Sequence, residues 1–331
     1  MEIVGATHAS PVQYKMAVLN YRGLLGRIRA AQKTQQITKT MQMVSASRLK
    51  KSHEKLVKSK PYFEKVTELL SHLQDVGRGD ACVAPTMFHP FLDTRQEKSV
   101  ALVVVTSDRG LCGAYNTNII SFAEVLLEKY PEGKAELILI GKKGDDYFKK
   151  RRWPIFVKYL DMAGKPDFLK ISQITDHLTE SYLSGRFDAV HLIYTAYRSA
   201  LSIKPISTKL LPLEKEPSLP QTPPTPSLTK EGVTPPLYPK GRAGGVKTYL
   251  EPSSQEILNS LLPNFIASKI YVSLVEAFTA ENSARMIAMK NATDNAKEMI
   301  RNLTLLRNKA RQAAITKELL EIVTAGEALK G

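Results

Sequence analysis

The longest regular pattern of hydrophobic positions lies near the N-terminus, where no proline occurs from Tyr21 to Lys60. Apolar residues recur there at intervals of three and four, the spacing that places side chains on one face of a helix. The pattern predicts a helix over residues 19–74. Because proline in a helix interior removes a backbone hydrogen bond, we expect a bend or an interruption near Pro61. The apolar stripe consists of Leu24, Ile28, Ala31, Ile37, Met41, Val44, Phe63, Val66, Leu70 and Leu73.

A second long helical pattern occupies residues 249–331, which contain no proline after Pro263. Its apolar residues alternate in spacing between four and three, as in the seam of a coiled coil. Alanine at several of these positions permits close approach of a partner, and the N-terminal helix is the natural one. We therefore expect an antiparallel coiled coil of the two terminal helices. The predicted seam is Ala292, Ala296, Met299, Leu303, Leu306, Ala310 and Ala313.

The central residues, 75–213, open with a loop and then alternate short apolar runs with helical patterns. Ser99–Thr106 is an apolar run rich in β-branched residues, typical of a strand buried on both faces. Strands that alternate with helices predict an α/β, Rossmann-like domain with a mostly parallel sheet. The other expected strands are 136–141, 155–160, 187–197 and 202–210, and the helices are 116–129, 145–151 and 171–183.

Two segments carry no helical or strand periodicity. Residues 1–18 are expected to form a disordered N-terminal extension, with Met16 as an alternative start. Residues 214–248 contain eight prolines and four glycines, and predict a flexible or polyproline-like insertion. A proline-rich stretch of this kind is also open to interpretation as a ligand for a small domain.

Charge adds information about partners. Lys+Arg minus Asp+Glu is 47 − 32 = +15, and much of this excess falls on the N-terminal helix. Such a balance favours an acidic partner, which is a nucleic acid, an anionic lipid or an acidic protein surface. No apolar run is long enough to predict a membrane span. With only two cysteines, Cys82 and Cys112, neither a disulfide-stapled secreted fold nor a Cys-rich zinc site is expected.

The clearest candidate for chemistry is the turn Thr106–Gly113 (TSDRGLCG), which follows the buried strand and precedes a helix. A glycine-rich turn in this place can hold a phosphate on helix N-terminal amides, or it can simply connect the two elements. It matches neither the dinucleotide-binding fingerprint nor the P-loop. The histidines have no metal-ligand spacing, and Cys112 has no candidate base nearby. We expect no catalytic residue, no cofactor and no metal.

Three segments together resemble the γ subunit family of F-type ATP synthases. They are Ile37–Lys51 (ITKTMQMVSASRLKK), Thr106–Asn116 (TSDRGLCGAYN) and Glu281–Ala325, whose sequence begins ENSARMIAMKNATDNAKEMIRN. The likeness extends from about Leu19 to the C-terminus, apart from the insertion. It implies a coiled-coil shaft with a central α/β domain as its foot, which agrees with the independent pattern.

The resemblance implies a rotor. The shaft would turn inside the α3β3 ring, the foot would rest with the ε subunit on the c-ring, and rotation would drive the β catalytic sites through their conformations. It also implies no nucleic acid partner, no catalytic residues in the chain itself, and a peripheral location on the cytoplasmic side of a bacterial inner membrane, reached only through the complex. Two interpretations compete with it: a basic nucleic-acid-binding protein with a helical arm, and an α/β enzyme that binds phosphate at the DRGLCG turn.

The resemblance also nominates contact residues. Met41 matches a coupling-sensitive methionine near the acidic C-terminal loop of β. Arg285 matches a residue linked with coupling across the coiled coil. The remaining expected partner contacts are the basic residues Lys39, Arg48 and Lys50 beside Met41, and Arg311, Gln312 and Thr316 toward the end of the shaft.

Overall fold

The computed structural model describes residues 11–76, 89–93, 95–131, 133–162, 167–213 and 254–329. Two long helices, α1 (Pro11–Val76) and α5 (Ser254–Ala328), flank a central sheet. The strands are β1 (Val100–Val105), β2 (Ala135–Ile140), β3 (Ile155–Tyr159), β4 (Ala189–Tyr197) and β5 (Ile203–Leu211), and the shorter helices are α2 (Tyr115–Leu127), α3 (Lys142–Phe148) and α4 (Phe168–Leu183), with 3-10 turns at Pro90–Leu92 and Lys149–Arg151.

The five strands form one sheet in the order β3-β2-β1-β4-β5. Strands β1 to β4 pair in parallel, and β5 joins β4 as an antiparallel edge strand. The predicted α/β class and the mostly parallel, Rossmann-like sheet are therefore confirmed. All eight predicted central elements, five strands and three helices, are present, with ends that differ by a few residues.

Both faces of the sheet are covered, and the alternation of side chains along β1 divides them. Val100, Leu102 and Val104 pack with α2 and α3 on one face. Ala101, Val103 and Val105 face the opposite side, where α4, α5 and the last turns of α1 lie. Every residue of β1 is buried for this reason, as expected for a parallel strand between two layers of helices.

The backbone just after β2 lies very close to the backbone just after β1. Gly141 has φ of +97°, and a Cβ there would lie 2.2 Å from the carbonyl oxygen of Thr106. Only glycine allows this approach. The Thr106 hydroxyl accepts a hydrogen bond from the N–H of Gly144 at 2.9 Å, and it donates to the carbonyl of Ile140 at 3.1 Å. The ends of β1 and β2 are thereby held together.

The two long helices run antiparallel. Thr38 of α1 meets Thr293 of α5, with 2.8 Å between their hydroxyl oxygens, whereas Phe63, further along α1, stacks on the earlier residue Phe265 of α5. The predicted antiparallel coiled coil is therefore observed.

The seam of α5 differs from the prediction at Met299, Leu306 and Ala313. Ala296, Leu303 and Ala310 face α1 as expected. Met299 and Leu306 are more than half exposed. The half-buried neighbours of these two residues are Ile300 and Arg307, and apolar spacing does not anticipate an arginine at the seam. The buried or half-buried residues of this stretch are Met289, Ala292, Thr293, Ala296, Ile300, Leu303, Thr304, Arg307, Asn308, Ala310, Ala314 and Lys317, whereas Ala313 is exposed.

The middle of α1 departs from the prediction in the same way. Ile37 and Val44 are exposed, and the adjacent Thr38 and Ser45 are buried instead. The Thr38 hydroxyl donates to the carbonyl of Gln35 at 3.1 Å, and the Ser45 hydroxyl donates to that of Met41 at 2.8 Å. Because these hydroxyls find acceptors within the helix, they can be buried at the seam at low cost.

Helix α1 continues through Pro61, so an interruption there is wrong. It begins at Pro11, within the segment expected to be disordered, whereas residues 1–10 lie outside the described residues. The predicted insertion 214–248 also lies outside them. The most apolar window of α5 is long enough to cross a membrane, but half of it is buried against the rest of the chain, as in a core helix.

Leu303 and Leu306 offer a matched test of the observed seam. We expect Leu303→Asp to lower the free energy of unfolding by roughly 2–3 kcal/mol, because it places a charge between the helices. Leu306 is 54% exposed, so Leu306→Asp should cost under about 0.5 kcal/mol in the free chain. Urea unfolding followed by circular dichroism measures both. Equal losses would contradict the observed seam.

Candidate coupling site at the junction of α5 and the sheet

The order of the strands places a crevice at the carboxyl ends of β1 and β4. Helix α2, which follows β1, and helix α4, which precedes β4, lie on opposite faces of the sheet, and open α/β sheets bind ligands at such a point. The DRGLCG turn follows β1 directly, so it lies at this crevice. In this chain, however, the middle of α5 meets the same edge of the sheet, and its side chains bind both loops that border the crevice.

The turn itself is fixed by an internal network. The backbone N–H of Ser107 donates to Oδ1 of Asn116 at 3.0 Å, and Nδ2 of Asn116 lies 3.1 Å from the sulfur of Cys112. Burial raises the pKa of the Cys112 thiol, outweighing the opposing influence of the Ser107 hydroxyl and of Arg285. Cys112 is thus a buried packing residue.

Arg285 binds the turn to α5. Its guanidinium Nη2 donates to the carbonyl of Arg109 at 3.0 Å, and its Nε donates to the carbonyl of Gly110 at 3.3 Å. The same Nη2 lies 2.6 Å from Oε1 of Glu281, one helical turn earlier. Arg285 is 7% exposed and Glu281 is 6% exposed. Burial raises the pKa of Glu281, and the adjacent guanidinium opposes that rise.

The opposite side of the crevice is bound by residues from the same stretch of α5. The backbone N–H of Tyr197, the last residue of β4, donates to Oε1 of Glu276 at 3.0 Å. The hydroxyl of Ser283 donates to the carbonyl of Ala200 at 2.7 Å. Burial raises the pKa of Glu276, which also lies near Tyr194 of β4 and Lys60 of α1.

Apolar contacts fill the space between these polar anchors. Tyr115, the first residue of α2, is buried against Ala280, and its hydroxyl donates to the carbonyl of Ala277 at 3.2 Å. Gly113 has φ of +58°, and a Cβ there would lie 3.7 Å from Cβ of Ala288. The start of α2 therefore packs on α5, and the interpretation of the turn as a phosphate site is not supported.

The described residues contain no cluster of His, Cys, Asp and Glu that could hold a metal ion. The crevice thus contains a buried ion pair, an arginine that binds two backbone carbonyls, and a carboxylate that binds the backbone at the end of a strand. We call this set of contacts the joint. What this arrangement can do is transmit force between α5 and the sheet without slippage.

The structure separates Arg285 from the other expected contact residues, because its side chain has internal partners. Lys39, Arg48 and Lys50 are exposed on α1, and Met41 is half-buried beside them. Arg48 also lowers the pKa of Glu281 electrostatically, so it lies toward the junction.

The remaining three expected contact residues, Arg311, Gln312 and Thr316, are exposed near the C-terminal end of α5. They lie far along the helix from Arg285. The eight residues therefore occupy three places: the middle of α1, the junction, and the end of the shaft.

Sequence reasoning missed the residues that complete the joint. Glu276, Glu281 and Ser283 lie on the predicted C-terminal helix, but a single carboxylate or hydroxyl on a helix is usually solvated. One signal was present: Glu281 and Arg285 are four residues apart, the spacing at which opposite charges pair on a helix.

Comparisons with known proteins identify the family. A family model described as ATP synthase matches residues 20–329. An ATP synthase gamma chain from Chloroherpeton thalassium is 37% identical over 315 residues, covering 93% of this chain and 98% of the relative. One from Heliobacterium modesticaldum is 39% identical over 309 residues, covering 93% and 98%. This chain belongs to the ATP synthase γ chain family.

Solved structures share the fold of this γ-family chain. A chain in the Euglena gracilis mitochondrial ATP synthase (OSCP/F1/c-ring) matches with a TM-score of 0.60 and 21% identity, covering 93% of this chain and 94% of that one. A chain in the Tetrahymena thermophila central stalk/c-ring structure matches with a TM-score of 0.53 and 22% identity, covering 77% and 99%. The interpretation as a nucleic-acid-binding protein finds no support in these matches.

The joint predicts a large effect at Arg285. Arg285→Met removes both hydrogen bonds to the turn and leaves Glu281 buried without its cation, so we expect a loss of about 3 kcal/mol in the free energy of unfolding. Hydrogen exchange of residues 107–113 should accelerate.

Adding Glu281→Leu to Arg285→Met should restore about half of the loss, because no unpaired charge is then buried. Arg301→Met, on the exposed surface of α5, serves as the control and should change stability little. If Arg285→Met behaved like Arg301→Met, the assignment of the joint would be wrong.

Proposed function

We propose that this γ-family chain is the central-stalk rotor of a proton-translocating ATP synthase, in which it couples rotation of the c-ring to conformational change at the β catalytic sites. The observation that carries the proposal is the junction, where α5 belongs both to the coiled coil and to the sheet. A torque applied to the α/β domain passes into the shaft through buried contacts on a single continuous helix.

The surface of the shaft supports an acidic, ring-shaped partner. The lysines and arginines that α1 presents from Arg22 to Lys65 are exposed, and few carboxylates lie among them. Exposed single-sign charge attracts an acidic surface and steers assembly. The far end of α5 exposes apolar side chains, which fits an apolar bearing around it. They include Leu305, Leu306, Ile315, Leu319, Leu320, Ile322 and Val323.

The chain's own part in the reaction is mechanical. The crevice that could accept a nucleotide is filled by α5, so hydrolysis and synthesis of ATP belong to the surrounding ring. The shaft acts by stabilising one β conformer over another at each angle, which is a coupling free energy between distant sites. The proposed partners are the α3β3 ring, the ε subunit and the c-ring.

Location follows from the partners. A chain that binds the c-ring through its α/β domain is peripheral to the membrane and is held there by the complex. The relatives that match over nearly their whole length are bacterial chains, which favours the cytoplasmic side of a bacterial inner membrane.

Co-purification tests the proposal as a whole. An affinity-tagged chain, isolated in mild detergent, should bring down α and β subunits in a 3:3:1 ratio with itself, together with ε and the c subunit. Recovery of nucleic acid in their place, sensitive to salt as phosphate contacts are, would contradict the rotor assignment.

Met41 and Met43 provide a matched test of coupling. We propose that Met41, together with Lys39, Arg48 and Lys50, lies against the acidic loop of β. Met41→Lys would add a cation that pairs with β carboxylates and must release them at every step. A partly desolvated pair is worth on the order of 1–3 kcal/mol. We expect ATP hydrolysis to persist while proton pumping per ATP falls several-fold.

Met43 is 57% exposed on another face of the helix, so Met43→Lys should leave the ratio of pumping to hydrolysis nearly unchanged. Both activities are measured in the same membrane vesicles, by dye quenching and phosphate release. If the two variants shared one ratio, the contact assigned to Met41 would be wrong while the rotor proposal could still stand.

A further inference from the structure

The amino-terminal edge of the sheet carries a row of basic residues. Lys98 precedes β1, Lys134 precedes β2 and Arg152 precedes β3, and all three are exposed. These strand starts lie side by side, because the N–H of Val100 donates to the carbonyl of Lys134 at 2.8 Å and β3 pairs with β2. Since neighbouring strands are about 4.8 Å apart, the row extends over roughly 10 Å. We call these three residues the cationic row.

The carboxylates near the cationic row have partners of their own. Both oxygens of Glu136 accept hydrogen bonds from Arg186, at 3.2 and 3.0 Å. Asp188 accepts from two backbone N–H groups just before β1, at 3.1 and 2.9 Å. Glu97 lies 2.9 Å from Nζ of Lys209. No carboxylate in the described part of the chain forms an ion pair with the cationic row, so its charge is not neutralised there.

The backbone at Arg152 has the left-handed conformation, with φ of +58°. Glycine and asparagine adopt this conformation most readily, so a turn of this shape ordinarily favours one of them. The chain has an arginine instead, at the end of the run Lys149–Arg152 (KKRR), in which Lys149 and Lys150 are also exposed. Turn geometry therefore does not account for the basic residues, and their charge fits an anionic partner.

Trp153 follows the cationic row directly and is the single tryptophan of the chain. It is half-buried, because it packs against the apolar cluster beneath α2 and α3. Tryptophan is enriched at the boundary between membrane and water, and clustered lysines and arginines attract anionic headgroups. The combination favours an anionic lipid surface over a nucleic acid.

The cationic row lies at the opposite edge of the sheet from the joint. The six residues of β1 separate the two edges by roughly 20 Å, at about 3.3 Å per residue. Beyond the joint, α5 continues into the coiled coil, so the cationic row faces away from the shaft. In the rotor proposed above, on which this step rests, that edge is turned toward the membrane.

We propose that the cationic row binds anionic phospholipid headgroups, so that the α/β domain contacts the membrane surface directly as well as through its partner subunits. Each lysine or arginine held near an anionic bilayer strengthens binding roughly fivefold. Three such contacts exchange rapidly, which is compatible with a domain that turns. The binding weakens as salt is added, because mobile ions screen exposed charge.

The fluorescence of Trp153 tests the contact in the full-length chain. The vesicles contain phosphatidylcholine with a nitroxide on its headgroup, which quenches tryptophan at close range, and they either contain or lack phosphatidylglycerol. We expect quenching by the anionic vesicles and roughly tenfold less by the neutral ones. Raising the salt concentration from about 0.1 M to about 0.5 M should abolish the difference.

Charge variants test the residues of the cationic row. The combined substitutions Lys98→Gln, Lys134→Gln and Arg152→Gln should raise the lipid concentration needed for half-maximal quenching by roughly tenfold or more. The combined substitutions Lys98→Arg, Lys134→Arg and Arg152→Lys keep the charge and should behave like the unmodified chain. Circular dichroism verifies that both variants are folded.

The basic face of α1 also attracts anionic vesicles, so it supplies the matched control. Lys33→Gln, Lys55→Gln and Lys58→Gln together remove the same charge from exposed positions of α1. Quenching of Trp153 should stay nearly unchanged in this variant. Lysine acetylation read by mass spectrometry gives a second measurement, in which the anionic vesicles should protect Lys98 and Lys134.

Several outcomes would overturn the proposal: equal quenching by the neutral and anionic vesicles, no quenching by either, or equal effects of the two sets of glutamine substitutions. Protection of Lys98 and Lys134 by a DNA duplex but not by the vesicles would overturn it in favour of a nucleic-acid site. Co-purification with the α, β and c subunits is measured separately, so failure of the lipid contact is distinguishable from failure of the rotor proposal.

Discussion

The rest of the architecture depends on the contact between α5 and the loops at the carboxyl ends of β1 and β4. An open parallel sheet leaves a crevice at that edge, and here the helix places Glu276, Glu281, Ser283 and Arg285 in or beside it. Glu276, Ser283 and Arg285 each satisfy a backbone group that the end of a strand or a turn would otherwise leave to water, and Glu281 pairs with Arg285. A long helix that is half coiled coil and half sheet-packing element becomes mechanically continuous with the domain beside it.

The two halves of α5 differ in amino-acid composition and in burial. From Leu258 to Ala280 the helix buries an apolar face against the sheet and its neighbouring helices. Beyond Ala296 it is increasingly exposed, and its contact with α1 relies on small side chains and on the half-buried Ile300 and Leu303. A thin shaft of this kind is weakly stabilised by its own core, so surrounding subunits contribute to its order. The basic face of α1 and the exposed apolar end of α5 provide two different means of engaging them.

Much of the fold could be predicted because the patterns were long or unambiguous. The run Val100–Val105 could only be a doubly covered strand, and the spacing over Ala292–Ala313 required a helical partner. The register of the coiled coil could not be predicted in full. Thr38, Ser45 and Thr293 occupy seam positions because their hydroxyls bind carbonyls of the preceding helical turn, and polarity scales do not register this compensation. The joint could not be predicted from the sequence for another reason. Arg285 and the DRGLCG turn are more than 170 residues apart, and only folding brings them together.

Rotation of the α/β domain relative to a fixed ring tests the central claim most directly. A single cysteine at the exposed position Lys150, in a chain whose own two cysteines are serine, carries a bead, and the ring of α and β subunits is fixed to a surface. With limiting ATP, the bead should turn in one direction and pause three times per revolution. Sustained ATP hydrolysis with a stationary or freely diffusing bead would contradict the claim that shaft and domain turn as one body.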